Sequence, residues 1–383
     1  MNKAIKIFYD GFYFARETYG GISRMWENLI CGLLENSADY ECILYAPKND
    51  NRAFQKIINS NANNSHFKWL DECWGLPGRF NGSMRGRALK LGMAMKLSGA
   101  SSSHIFHSTL NSYPVWVGKT PIVTTVHDLN IQLFPEIFGN GPQIKSFVRA
   151  DKESICRSKK VVAVSENTKN DIMRLYNIPE GRITVIYHGL NNSFIGVKQK
   201  TEKRRGKKYI LFVGGRNCYK NYYLLLQAFA KIQHKYDDIH LVAVGPDTSE
   251  KDKRSEIDLI EKFSLLEKVH DKGFVSDNEL IDLYSNAIAL VFPSLYEGFG
   301  FPLLEAMACY CPVIASDIPV FRELGKQYVN YFDPKSINEL VSRLTAAIES
   351  SPDQNKLNMA HHYANTFTWD VAVNKLMSVY RSV

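Results

Sequence analysis

The chain has 383 residues, enough for two or three domains at roughly 150 residues each. Hydrophobic residues make up 45% and charged residues 22%, a globular mixture that excludes wholesale disorder. No apolar run could span a bilayer, and the seven cysteines form no CxxC pair. We therefore expect a soluble, cytoplasmic protein with reduced thiols and no zinc site.

The N-terminal half begins with the pattern of a parallel-sheet domain. The stretch up to Asp10 predicts a first strand rather than a signal peptide. A glycine-containing loop then leads to a helix with apolar residues on one face: Ile22, Met25, Trp26, Leu29 and Leu33. Short apolar strands follow at HIFHS (104–108), PIVTTVHD (121–128) and KVVAVS (160–165).

The C-terminal half repeats this layout. A strand ends at Val213, a Gly214-Gly215 turn follows, and the next helix turns Leu225, Ala228, Phe229 and Ile232 inward. Further strands are predicted within 239–246, 288–294 and 312–316. Strands alternating with helices predict two doubly wound α/β domains, one over 1–195 and one over 205–365, joined by a basic linker.

The last stretch, 366–383, is predicted to be a helix that packs back on the first domain. Thr368 is a candidate N-cap. A buried stripe follows from the helical spacing: Trp369, Val373, Leu376, Met377 and Tyr380.

The formal net charge is +8, and its distribution is uneven. No acidic residue lies between Glu72 and Asp128, while segment 79–96 mixes cations with Leu and Met. Such a segment suits an anionic membrane surface or a phosphate-rich partner. The alternative is a helix whose cations only solvate its outer edge. Nucleic acid is not expected as a partner, because the positive charge is not accompanied by a recognisable binding motif.

Two glycine turns stand where parallel sheets bind anions. Gly20-Gly21 precedes the first helix, and Gly214-Gly215-Arg216 with Lys220 precedes the second-domain helix. Bare backbone N–H groups at these turns, supplemented by Arg216 and Lys220, favour a phosphate or diphosphate site. The alternative is that each pair only forms a tight turn.

The segment 291–325 carries the most informative loop. Glu297 lies among Gly298, Phe299, Gly300 and Phe301, in a loop expected to face the ligand. A helix is predicted to begin at Pro302, which places Glu305 about one turn inside it. A carboxylate in a glycine loop can accept hydrogen bonds from vicinal hydroxyls, and the loop N–H groups can donate to sugar or phosphate oxygens.

Glu297 through Glu305 forms an E-x7-E pattern that resembles glycosyltransferase family 4. The resemblance extends to GGISR (20–24), VHD (126–128), VGGRNCYKN (213–221) and GFVSDNELIDLY (273–284), and so covers most of the chain. It implies the GT-B fold of two facing Rossmann-like domains. It also implies a retaining, nucleotide-sugar-dependent hexosyltransferase that needs no metal or other cofactor.

The resemblance also implies roles for particular residues. Arg216 and Lys220 would hold the nucleotide diphosphate, Glu297 the donor sugar, and Glu305 the ribose hydroxyls. His127 would lie near the transferred sugar. The remaining donor contacts would be backbone groups of Gly20, Gly21, Gly215, Phe274, Val275, Gly298, Phe299, Gly300 and Phe301.

The substrates implied are those of bacterial surface-polysaccharide enzymes: mannose from GDP-mannose, and a lipid-diphosphate-linked glycan as acceptor. Segment 79–96 would then dock the enzyme peripherally on the inner leaflet of the cytoplasmic membrane, during O-antigen or lipopolysaccharide biosynthesis. A soluble phosphorylated sugar is an alternative acceptor. A nucleotide-sugar epimerase and a non-catalytic nucleotide-sugar-binding protein remain alternatives. A dinucleotide oxidoreductase is disfavoured because no GxGxxG pattern occurs.

Overall fold

The computed structural model describes residues 4–11, 13–15, 20–36, 38–46, 48–70, 104–110, 119–199, 207–216, 218–246 and 250–383. The chain divides into two compact units, one of Met1–Gly189 with Trp369–Val383 and one of Leu190–Thr368. The basic segment 79–96 lies outside the described residues. No helix within the described ranges is long and apolar enough to cross a membrane.

The first unit contains a seven-stranded sheet. Its strands are β1 (Ile5–Asp10), β2 (Tyr40–Tyr45), β3 (Phe67–Leu70), β4 (His104–Ser108), β5 (Ile122–Val126), β6 (Lys160–Ala163) and β7 (Ile183–Val185). All are parallel, in the order β3-β2-β1-β4-β5-β6-β7. The helices before the second unit are α1 (Gly21–Asn36), α2 (Arg52–Ser60), α3 (Asn130–Leu133), α4 (Pro135–Phe138), α5 (Pro142–Arg157) and α6 (Glu166–Tyr176).

The second unit contains a six-stranded parallel sheet in the order β10-β9-β8-β11-β12-β13. Its strands are β8 (Lys208–Val213), β9 (Ile239–Val244), β10 (Val269–Asp271), β11 (Leu290–Phe292), β12 (Val313–Ser316) and β13 (Asn330–Phe332). Its helices are α7 (Tyr222–Gln233), α8 (Glu250–Lys262), α9 (Asp277–Asn286), α10 (Phe301–Ala308), α11 (Pro319–Gly325), α12 (Ile337–Glu349) and α13 (Gln354–Ala364).

The last helix, α14 (Trp369–Arg381), packs on the first unit, as predicted. The predicted stripe is buried: Trp369, Val373, Leu376, Met377 and Tyr380. Gly32 of α1 allows the close approach, because a Cβ there would lie 2.8 Å from Val373 Cγ2. Tyr380 then reaches into the core, where its hydroxyl lies 2.9 Å from that of Tyr9 and 2.6 Å from His107 Nδ1.

The predicted helix faces are confirmed in both halves, except that Ile22 of α1 is only half-buried. Met25, Trp26, Leu29 and Leu33 of α1 are buried. So are Leu225, Ala228, Phe229 and Ile232 of α7, which pack with strand residues in one hydrophobic cluster. Two helix starts differ from prediction. A 3-10 turn (Cys218–Lys220) separates the glycine turn from α7, and α10 begins at Phe301, one residue before Pro302.

Strand order reverses at corresponding points of the two sheets. The chain runs outward from β1 through β2 to β3 and then returns to the other side of β1 with β4. The second sheet does the same around β8, with β11 on its other side. In open parallel sheets, ligands bind beyond the carboxyl ends of the strands at such a reversal. The residues after β1, β4, β8 and β11 therefore lie where a ligand is expected to bind.

Candidate active site

The turn after β8 has a backbone that only glycines accommodate. Gly214 has φ +148°, outside the range that side chains favour. Gly245, just after β9, has φ +151°, and a Cβ there would lie 2.3 Å from the Gly214 carbonyl oxygen. Neighbouring strands thus end in glycines that pack backbone against backbone. Gly215 continues this turn, whose N–H groups lie at the reversal point of the sheet.

The loops after β8 and β11 are joined through Lys220 and Glu297. Lys220 Nζ donates to Glu297 Oε1 at 2.6 Å, and Ser294 Oγ donates to the same oxygen at 2.7 Å. The backbone N–H of Leu295 donates to the Tyr219 carbonyl at 2.8 Å. Lys220 and Glu297, two of the four predicted catalytic residues, are therefore in contact at the strand-order reversal, where parallel sheets bind ligands.

The Lys220–Glu297 pair is largely but not wholly buried. The Lys220 side chain is 17% exposed and that of Glu297 12% exposed. Lys220 Nζ also lies 5.3 Å from the centre of the Tyr219 ring and 5.7 Å from that of Phe292. A cation packed against aromatic rings is partly desolvated, which strengthens its interaction with whichever anion it pairs with.

Arg216, predicted to hold the diphosphate together with Lys220, is paired with two carboxylates of its own unit. Its residue is only 4% exposed, with Nη2 lying 2.5 Å from Asp271 Oδ1 and Nε 3.4 Å from Glu256 Oε1. Burial alone would lower the pKa of Arg216, but the two carboxylates raise it. Arg216 is therefore a fixed cation, compensated within the protein by two acids that the sequence patterns did not identify.

The loop from Glu297 to α10 contains a glycine in a backbone conformation that other residues rarely adopt. Gly300 has φ +148°, and a Cβ there would lie 3.4 Å from the Phe321 ring. The Phe299 and Phe301 rings meet edge to face at 5.4 Å. Gly298, Phe299 and Gly300 are buried, so this segment is packed scaffold for Glu297 and for the N-terminus of α10.

Glu305 lies in the second turn of α10 and is buried rather than solvated. Tyr284 of α9 donates to its Oε2 at 3.1 Å. Burial and then the neighbouring Glu305 raise the pKa of Tyr284, so its hydroxyl stays protonated and remains a donor. Tyr284 thus orients Glu305, a contact that the sequence pattern did not predict.

The loop between β10 and α9 presents an exposed aromatic ring. Phe274 is 62% exposed, whereas Val275 is half-buried. The loop is shaped by Gly273 at φ +58° and by Ser276, whose Oγ accepts from the Glu279 N–H and caps α9. An exposed ring beside backbone N–H and C=O groups can stack on a flat ligand.

The reversal point of the first sheet gathers Asp10, Thr109, His127 and Trp26. Thr109 N–H donates to Asp10 Oδ1 at 2.6 Å, and the Thr109 carbonyl lies 2.8 Å from His127 Nε2. Burial lowers the pKa of His127 to about 4, and the hydrogen bond to Thr109 offsets only part of this shift. His127 is therefore neutral at pH 7. Asp10 and Thr109 were not predicted as site residues, although Asp10 stands at the end of the predicted first strand.

The predicted Gly20-Gly21 turn begins α1. Gly20 N–H donates to Ser23 Oγ at 2.8 Å, and Ser23 Oγ donates back to the Gly20 carbonyl at 3.0 Å. Gly21, the first residue of the helix, is exposed. Within the described part of the chain, no three His, Cys, Asp or Glu side chains gather as metal ligands would.

Two parallel sheets of Rossmann type, each with a glycine turn at its reversal, are the architecture expected of a GT-B protein. Comparison with known families agrees. The family described as Glycosyltransferase Family 4 matches residues 19–194, and that described as Glycosyl transferases group 1 matches residues 196–363. The chain belongs to glycosyltransferase family 4, as the E-x7-E pattern predicted.

Curated relatives include enzymes of O-antigen synthesis. The O-antigen chain mannosyltransferase RfbU of Salmonella typhimurium is 36% identical over 253 residues, which are 64% of this chain and 65% of RfbU. The match thus spans slightly less than two thirds of that relative. The O-antigen chain mannosyltransferase B of Escherichia coli is 26% identical over 273 residues, 68% of this chain and 70% of that protein.

Solved structures share the whole architecture. Anabaena HepE in complex with UDP-glucose superimposes with a TM-score of 0.73 at 17% identity, covering 99% of this chain and 100% of that one. WaaG, a glycosyltransferase involved in lipopolysaccharide biosynthesis, gives a TM-score of 0.74 at 16% identity, covering 98% and 99%. At such identities the likeness shows the GT-B fold alone.

Proposed function

We propose that this protein is a retaining glycosyltransferase that moves a hexose from a nucleotide-sugar to a hydroxyl acceptor. The observation that carries the proposal is the Lys220–Glu297 pair, held at the carboxyl ends of β8 and β11 where the strand order reverses. A diphosphate needs a partly desolvated cation, and a sugar needs a carboxylate that accepts from its hydroxyls.

Each site residue takes one part of the donor in this proposal. Lys220 and the backbone N–H of Gly215 bind the diphosphate, since the N–H of Gly214 already donates to the Val244 carbonyl. Glu297, with the backbone from Gly298 to Phe301, holds the sugar hydroxyls. Glu305, oriented by Tyr284, accepts from the ribose hydroxyls, and Phe274 and Val275 contact the base. Gly20-Gly21 supports the donor by backbone contacts, and His127 accepts from a sugar hydroxyl.

The chemistry proposed is substitution on one face of the sugar. The bond between the anomeric carbon and the diphosphate oxygen breaks, the acceptor oxygen bonds to the same face, and the departing phosphate takes the acceptor proton. Lys220 stabilises the negative charge on the leaving group, and Arg216, which follows the glycine turn and pairs with Asp271, is the second cation. We propose that these cations suffice without a metal ion.

We propose GDP-mannose as donor and a lipid-diphosphate-linked glycan as acceptor, in O-antigen synthesis on the inner leaflet of the cytoplasmic membrane. The names of two relatives, both O-antigen chain mannosyltransferases, support mannose. The HepE complex with UDP-glucose supports a nucleotide-sugar donor in this fold. The cation-rich segment 79–96 supports peripheral membrane contact.

A thermal-shift panel tests the donor first. GDP, UDP, dTDP and ADP and their common sugar conjugates are added with EDTA present. A ligand at a hundred times its dissociation constant adds about 2.7 kcal/mol to the stability of the native state. A rise in melting temperature that is selective for GDP and GDP-mannose supports the proposal. A rise with another nucleotide instead retains the class of enzyme but overturns GDP-mannose as the donor. No shift with any nucleotide, joined to no transfer on isolated membranes, overturns it.

A further inference from the structure

A buried carboxyl group lies at the end of β1, beside the site residues of the first unit. Asp10 is 1% exposed. Its Oδ1 accepts from the Thr109 backbone N–H at 2.6 Å, and Ser108 Oγ lies 3.4 Å from its Oδ2. A buried carboxyl that binds the chain just after β4 fixes that backbone, because losing the acceptor would leave a buried N–H without a partner.

Thr109 is bound on every side. Its hydroxyl Oγ1 lies 2.6 Å from both the carbonyl oxygen and Oδ1 of Asp10. Its own carbonyl accepts from Trp26 Nε1 at 3.1 Å and lies 2.8 Å from His127 Nε2. Asp10 therefore accepts from the N–H and hydroxyl groups of Thr109, while Trp26 and His127 contact the Thr109 carbonyl.

The contact with Thr109 selects one tautomer of His127. A carbonyl oxygen can only accept, so His127 Nε2 must carry the hydrogen. In a neutral imidazole the other nitrogen, Nδ1, is then a hydrogen-bond acceptor. The Trp26 ring packs edge-on to His127 at 6.4 Å and restricts the ring further.

We propose that Asp10, acting through Thr109, is a positioning residue that keeps His127 in the Nε2–H tautomer, so that Nδ1 is available to accept from a hydroxyl of the sugar. The tautomer part stands on the geometry of the first unit alone. The sugar part rests on the function proposed above, and the two parts are tested by different readouts.

The tautomer is measured by long-range proton–nitrogen NMR of the full-length protein labelled with nitrogen-15 histidine, with His127→Gln used for assignment. An unprotonated Nδ1 and a protonated Nε2 at pH 7 support the proposal. A protonated Nδ1 in the wild-type protein overturns it, whatever the enzyme's activity.

Three substitutions then test the role of Asp10. Asp10→Ala removes the acceptor, and we expect His127 to populate both tautomers. Asp10→Asn retains an Oδ1 acceptor and should keep the wild-type tautomer. Thr109→Val removes only the hydroxyl and serves as the test if Asp10→Ala fails to fold. We expect it to shift the tautomer populations of His127 less than Asp10→Ala would. Thr124→Val is the matched control, because it removes a buried threonine hydroxyl that contacts Ser154 and Ser158 instead.

Transfer kinetics test the sugar part. In Asp10→Ala we expect kcat to fall on the order of 10- to 100-fold through misplacement of His127, with the dissociation constant of the nucleoside diphosphate unchanged. Rescue of kcat in Asp10→Asn supports positioning. An altered tautomer with wild-type kcat overturns the placement of His127 at the sugar, and an unaltered tautomer in Asp10→Ala overturns the role of Asp10.

Discussion

Lys220 and Glu297, 77 positions apart in the chain, form a 2.6 Å ion pair that joins the loops after β8 and β11. Both are proposed to contact the donor, the lysine at the diphosphate and the glutamate at the sugar. Without the donor, the Lys220 ammonium and the Glu297 carboxylate pair with each other. An incoming diphosphate therefore competes with Glu297 for Lys220, and this competition lowers the affinity for the nucleotide.

Glu297→Gln should separate nucleotide binding from transfer. The amide is of similar size but carries no charge, so Lys220 is released for the diphosphate. We expect unchanged or tighter binding of the nucleoside diphosphate, with transfer reduced by orders of magnitude because the sugar loses its carboxylate. Lys220→Met should instead weaken nucleotide binding about 10- to 100-fold, since a charge-assisted hydrogen bond is worth about 1.5–3 kcal/mol. Calorimetric titration of the nucleotide and a transfer assay measure both.

The exposed pair Lys235–Glu349, also at 2.6 Å in the second unit, supplies the matched control. Lys235→Met and Glu349→Gln should change neither binding nor transfer. Equal loss of nucleotide affinity in Glu297→Gln and Lys220→Met would contradict the competition between Glu297 and the diphosphate.

Arg216→Ala should destabilise the second unit much more than Lys220→Ala does. Arg216 is buried between Asp271 and Glu256, so its removal leaves carboxylates without their cation, at about 3 kcal/mol. Lys220 is more exposed, and Ser294 still donates to Glu297 without it, so we expect about 1–2 kcal/mol. Urea unfolding followed by circular dichroism measures the difference. Equal losses would mean that Arg216 does not act as an internal counter-ion.

The sequence predicted the two parallel sheets, because the apolar spacing of α1, α7 and α14 and the short strand runs depend on local pattern. It also predicted Lys220 and Glu297 as site residues, through their glycine loops. It could not predict that they pair, since that contact depends on β11 returning beside β8. The same holds for Asp10 and Thr109, and for Arg216, whose partners come from α8 and β10.

Gly245→Ala, just after β9, should displace the Gly214-Gly215 turn that follows the neighbouring strand β8. The new Cβ would lie 2.3 Å from the Gly214 carbonyl, and φ +151° is itself strained for alanine. We expect a loss of at least about 2 kcal/mol of stability and weaker nucleotide binding. Gly196→Ala is the control, because it has φ +70° in the same unit but nothing within 4 Å of the added carbon, and should cost about 1 kcal/mol. Similar losses in both would show that strain, rather than the clash, dominates.

Acid should destabilise the first unit through its buried histidines. Burial, followed by the nearby His127, lowers the pKa of His107 to about 3, and burial lowers that of His127 to about 4. Because an unfolded histidine titrates near 6.5, the unfolded state binds more protons below that pH. The stabilisation is therefore complete above about pH 6.5 and is lost as the pH falls toward the folded values.

His107→Gln isolates one part of this effect. Between pH 7.5 and 5, His107 alone should account for a loss of roughly 2 kcal/mol, so the variant's stability should depend less steeply on pH than that of the wild type. The variant is less stable at pH 7.5, because it disturbs the contacts of the ring with Tyr380 and Thr125, but the difference narrows as the pH falls. Parallel stability curves for wild type and His107→Gln would show that His107 is not held neutral in the folded protein.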